Sequence, residues 1–204
     1  RGELLDIFET ISRYIACSRV TTRPIFEFIS TQIHPNDALQ VFPLEDDYSF
    51  GILSSSIHWE WFNARCSTLK GDPRYTSDTV FDSFPWPQKP TEKQIAEIAK
   101  HAVELRQKRK EIMKKNKFCL RDIYKTMETT PNNPVSEIQA ELDNAVRDAY
   151  GMSPEDDILE FILKLNKKCH DREVAGKEIT QPGLPKSVKD PQKYISQDCV
   201  KMEE

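Results

Sequence analysis

The sequence predicts an α+β chain: a β-rich half with one inserted helix over residues 1–90, a small helical bundle over 91–180, and a poorly ordered tail over 181–204. Three observations carry this. Short alternating apolar runs bounded by turn residues fill the first half. The segment Phe84-Pro85-Trp86-Pro87-Gln88-Lys89-Pro90 cannot be regular structure, because its prolines fix φ and remove donors, so it marks the boundary. Beyond it, apolar residues recur at spacings of three and four.

Taken in order, Leu4, Leu5, Phe8, Ile11 and Ile15 give a helical stripe from Gly2 to Tyr14. Arg13 to Val20 and Pro24 to Ile29 read as strands around a Thr21-Thr22-Arg23 turn, and Ala38 to Leu44 as another. After the acidic loop Glu45-Asp46-Asp47, Tyr48 to Leu53 resumes β character, and Gly51 within it signals a bulge or a close backbone approach. Ser54-Ser55-Ser56 caps a helix through Ile57, Trp61 and Ala64. Lys70-Gly71-Asp72-Pro73 is turn chemistry.

In the second half, Thr91 to Gln94 is a capping box opening a long amphipathic helix through Met113. A short helix follows over Leu120 to Met127, broken at Pro131-Asn132-Asn133-Pro134. Ser136 opens a third, stopped by Gly151, and Ser153-Pro154-Glu155 opens a fourth. From about Gly176 the periodicity fades.

Composition narrows the function classes. Hydrophobic residues at 38% and charged residues at 30% are ordinary for a soluble globular protein. No apolar run nears the ~20 residues that span a bilayer, which leads us to expect a cytoplasmic protein without membrane contact. Five scattered cysteines without a CxxC pair argue for reduced thiols and against disulfides or zinc, and Cys169-His170 alone makes no metal site. The chain opens on Arg1 rather than Met, so it is expected to be part of a longer protein. The net charge of −4 divides into −4 over residues 1–90, +5 over 91–130 and −5 over 131–204, so any anionic partner must meet a local patch.

Two groups of residues stand out. The run Arg106 to Lys117 holds seven basic residues and one acidic one; it is either a solvated helix face or a phosphate-contacting one, through Lys108, Arg109, Lys114 and Lys115. Arg19, Arg23, Arg65, Lys70 and Arg74 sit in or beside turns of the β-rich half, and an arginine fork matches the two acceptors of guanine. Asp72 shares the turn, and Glu45 and Asp46 are carboxylates able to accept from a cytosine amino group. The Glu45-Asp46 loop and the Lys70–Arg74 turn flank the Ser54–Leu69 helix, an arrangement that presents both to one groove. His58, between aromatic neighbours, reads as a packed core histidine. Trp59, Trp61 and Trp86 read as pins of the helix and the proline run.

Three segments resemble MmeI-like (type IIL) DNA methyltransferase and restriction-modification proteins: Tyr48-Ser49-Phe50-Gly51-Ile52-Leu53; Arg74-Tyr75-Thr76 with Phe84-Pro85-Trp86-Pro87; and Leu142-Asp143-Asn144-Ala145-Val146-Arg147-Asp148-Ala149-Tyr150-Gly151. The resemblance covers the target-recognition domain and the C-terminal helical domain. It implies that the chain recognises double-stranded DNA for an S-adenosylmethionine-dependent adenine-N6 methyltransferase domain upstream in the same bacterial protein, with or without a fused nuclease. It also favours Glu45 or Asp46 as base readers. The family's Asn-Pro-Pro-aromatic motif, Gly-rich loop and nuclease triplet are missing, since Asn132-Asn133-Pro134-Val135 is not that motif, so neither catalysis nor cofactor binding is expected of this stretch. The other reading is a helical interaction module whose basic helix docks an acidic partner.

Overall fold

The computed structural model describes residues 2–69, 71–130 and 133–202. After α1 (Gly2–Phe8), strands β1 (Arg13–Ser18), β2 (Glu27–Ser30) and β3 (Leu39–Phe42) form an antiparallel sheet in the order β2-β1-β3. Ile15 pairs with both Phe28 and Phe42, and Cys17 with Gln40. Because side chains alternate across a strand, Ile15 and Cys17 enter the main core while Tyr14 and Ala16 join Phe8 in a smaller one.

The β character expected over Tyr48 to Leu53 is overturned. The segment is a helix, α2 (Asp47–Ser54), N-capped by Asp46, whose carboxylate accepts from the Ser49 N–H at 2.7 Å and the Ser49 hydroxyl at 2.8 Å. Every residue from Asp47 to Leu53 is buried. A helix buried all round shows no clear 3.6-residue stripe, which is why its composition imitates a buried strand. Gly51 does mark a close approach: a Cβ there would lie 2.5 Å from Cγ2 of Ile98. α3 (Ser56–Arg65) starts at its expected cap, Ser55.

The helical half comprises α4 (Glu92–Asn116), α5 (Leu120–Thr129), α6 (Pro134–Tyr150) and α7 (Ile158–Val174). The Thr91–Gln94 capping box opens α4, and Gly151 at φ +69° ends α6. Two starts are displaced from those expected. Asn133 caps α6 ahead of Ser136, and Asp157 caps α7 beyond Ser153. Arg147 collects the carbonyls of Ser153, Pro154 and Asp156, while the Asp156 carboxylate takes the Ser153 N–H, so this stretch closes as a turn. Pro131 and Asn132 lie outside the described residues. Among the described residues, no helix is long and apolar enough to cross a membrane.

The proline run is irregular, as expected, yet Phe84 and Trp86 are buried in it, and Tyr150 donates to the Pro85 carbonyl at 2.9 Å. One continuous core runs from Ile15 through Phe50, Trp61 and Trp86 to Ile98, Leu142 and Ile162. The Pro90 boundary therefore divides the chain and not the core.

Residues 181–202, read from the sequence as a tail, pack against the sheet and α4. Val200 bridges Ile29 in parallel, donating to the Phe28 carbonyl and accepting from the Ser30 N–H. Ser196 and Asp198 close an ionic cluster with Arg13, Asp47 and Arg106, and both arginines are 1% exposed. Burial alone would raise the Asp198 carboxyl; the hydrogen bonds and charge of Arg106, with Ser196 and Lys110, outweigh it and hold the group well below the usual carboxylate range. Individual polar contacts of this kind leave no periodic trace in the sequence.

Candidate functional site

Strands β4 (Ser67–Leu69) and β5 (Asp72–Arg74) make an antiparallel hairpin turning through Gly71, whose φ of +94° favours glycine. The hairpin is clamped to the end of β1: Val20 bridges Arg74, the Thr21 N–H donates to Pro73 at 3.0 Å, and the Tyr75 N–H donates to Arg19 at 2.7 Å. Directly behind it, buried Tyr75 stacks on Phe62 at 5.7 Å and its hydroxyl meets Nε2 of His58 at 2.9 Å. Burial pushes His58 down to about 3, so at neutral pH the ring is uncharged and part of the core, as its aromatic neighbours suggested. Trp61 donates to the Val80 carbonyl at 3.0 Å, fixing the π-helical turn Ser77–Phe81 beside the hairpin.

This mount carries four of the sequence-derived candidates together: Arg19, Arg65, Asp72 and Arg74. Asp72 and Arg65 are exposed, the latter with its guanidinium 5.5 Å from the Trp61 ring. Arg19 and Arg74 are half-buried, and the Nε of each has no hydrogen-bond partner among the described residues. Lys70 lies outside the described residues. The register adds two residues that sequence reasoning missed. Gln40 pairs with Cys17, two positions before Arg19, so it shares a sheet face with Arg19 and donates to the Ser77 hydroxyl at 2.9 Å. Strand pairing places Gln40, and its hydrogen bond brings in Ser77; both are properties of the fold and not of the local sequence.

The remaining candidates are placed elsewhere. Glu45 accepts from the Ser12 N–H at 3.0 Å, at the start of β1, whereas the hairpin meets its end; at about 3.3 Å per residue the strand separates them by roughly 20 Å. The Glu45 loop and the hairpin therefore do not share one mounting. Asp46 is 5% exposed and committed to capping α2; burial pushes its carboxyl up to about 6. Arg23 lies over the rings of Trp59 at 4.4 Å and Tyr124 at 4.8 Å, tying its turn to α3 and α5.

The basic run of α4 is also re-sorted. Arg109 is 1% exposed, donates to Phe26 and Glu27, and contacts the Tyr124 hydroxyl, so it is not a surface phosphate ligand. Arg106 and Arg109 fall on the buried stripe of Ile98, Ala102 and Leu105, a consequence of helical phase that a count of charges ignores. Lys114 and Lys115 are exposed, and Lys108 pairs with Glu111 at 3.1 Å.

The arrangement can donate and accept hydrogen bonds from a rigid surface. Its histidine is buried and neutral, and burial pushes the thiol of Cys17 far up, so neither supplies a base or a nucleophile. Residues 21–88, 68 of the 204, match the family profile described as "MmeI, target recognition domain". The fold of the chain is similar to that of the Type IIL restriction-modification enzyme MmeI, whose structure was solved in complex with DNA. The TM-score is 0.59 and the identity 21%, over 78% of this chain and 22% of that one. This chain thus spans under a quarter of that enzyme's length. Comparison with curated proteins gives no match.

Proposed function

We propose that the chain reads the base sequence of duplex DNA on behalf of an S-adenosylmethionine-dependent adenine-N6 methyltransferase domain in the same bacterial, cytoplasmic protein. One observation carries the reading: a two-stranded hairpin bearing Asp72 and Arg74 is clamped to β1 and backed by buried Tyr75, beside Arg19 and Gln40. A two-stranded ribbon fits the major groove. There arginine donates bidentately to guanine, a carboxylate accepts from cytosine and glutamine pairs with adenine. The family match over residues 21–88 and the fold shared with an enzyme solved in complex with DNA support recognition of DNA by this chain.

The cofactor belongs to the catalytic domain. The rival reading, a basic helix docking an acidic partner, rested on a run of which Arg106 and Arg109 are buried. The test is binding of the full-length protein to duplexes of varied sequence across a salt series. Affinity should fall with salt by a slope of about −0.9 per phosphate contacted, and a base-dependent remainder should persist. Binding indifferent to base sequence would refute the reading.

A further inference from the structure

His101 lies near the middle of α4 with its side chain 14% exposed, and carboxylates face both of its nitrogens. Nδ1 is 2.9 Å from Oε2 of Glu104 and 3.7 Å from Oε2 of Glu141, while Nε2 is 3.7 Å from Oε2 of Glu97. Glu97 and Glu104 are one helical turn to either side on the same face, and Glu141 arrives from α6. A neutral imidazole has one N–H, so one of its nitrogens would turn a lone pair toward a carboxylate. Among the described residues, Lys100, 4.0 Å from Glu97, is the one other cation paired with the cluster; Glu104 and Glu141 pair with none besides His101.

We propose that this cluster is a zinc site stapling α4 to α6, with Nδ1 of His101 and the carboxylates of Glu104 and Glu141 as ligands and water in the fourth position. Zinc–nitrogen and zinc–oxygen bonds of about 2.0–2.2 Å in a tetrahedron set ligand atoms roughly 3.4 Å apart. The observed 2.9 and 3.7 Å straddle that spacing, and all three atoms lie within 4.8 Å of one another. The side chains that need to rotate are half-buried Glu104 and exposed Glu141. An imidazole donor with carboxylates suits zinc, whereas calcium and magnesium prefer all-oxygen shells. Glu97 opposite Nε2 completes the pattern in which a ligating histidine turns its other N–H toward a carboxylate.

The test uses the full-length protein equilibrated with buffered zinc at pH 8, with metal content measured after gel filtration and melting followed with and without zinc. The His101→Ala variant should carry one zinc fewer per chain than the wild type and lose the rise of several degrees that zinc gives it. Glu141→Gln, at a side chain 60% exposed, should bind zinc at least tenfold more weakly while folding normally. A tenfold excess of magnesium should displace none of it. Equal zinc content in wild type and His101→Ala, as cysteine-borne zinc would give, overturns the proposal. So does unchanged affinity in Glu141→Gln, which decides the matter should His101→Ala fail to fold.

Discussion

Arg74→Gln offers the most direct examination of the hairpin. The arginine fork donates to O6 and N7 of guanine; the glutamine amide matches N6 and N7 of adenine and lacks the second donor guanine needs. A good bidentate pair is worth ~1–3 kcal/mol of discrimination, which is ~5- to 150-fold between bases at one position. The fold should tolerate the change. The backbone pairing of Arg74 with Ser67 and Val20 stays, and its buried Nε bonds to no described residue, so removing it orphans none of them; the cost should stay below about 1 kcal/mol. The assay is sequencing of methylated adenines in genomic DNA from cells expressing the full-length variant. One position of the recognised site should lose its preference for guanine and gain adenine, with the other positions untouched. If the original motif is still modified, only uniformly less, Arg74 positions the DNA backbone and the reasoning fails.

Three further outcomes follow from the packing. Arg109→Leu strips Glu27 and Tyr124 of a buried partner and should cost about 3–5 kcal/mol in urea unfolding, whereas Lys114→Glu with Lys115→Glu should leave the midpoint alone and, if that face meets phosphates, flatten the salt slope by about 2; equal stability losses would refute the division. Gly51→Ala drives a methyl group into Ile98 and should cost about 1–3 kcal/mol; an unshifted unfolding midpoint would mean that α2 and α4 have room to part. Asp46 holds its proton to about 6 when folded and to about 4 when unfolded, so wild-type stability should fall as pH rises between those values, by about 3 kcal/mol, and stay lower above them. Asp46→Asn stays neutral and keeps an acceptor for the Ser49 N–H, so its stability relative to wild type should rise across that window and be flat below it. A constant difference from pH 3 to 8 would show that the buried carboxyl does not titrate there.

Local chemistry was legible in the sequence because it acts within a few residues. The Thr91–Gln94 capping box, the Ser55 cap, the Gly71 turn and the Gly151 stop are each decided by one backbone conformation and one neighbouring hydrogen bond. The Phe84–Pro87 run and the aromatic setting of His58 likewise foretold an irregular, buried anchor and a packed, neutral ring. Only the tertiary structure could show that α2 is a helix, because a segment buried on every side carries no period to read. Three-dimensional packing, too, took Arg109 and Asp46 into the interior, set Glu45 at the far end of β1, drew Gln40 and Ser77 to the hairpin and closed the C-terminal segment on Arg13 and Arg106. Each of these depends on which residues meet across the fold. Burial and partnership are properties of pairs distant in the chain, and the residue types alone leave them undetermined.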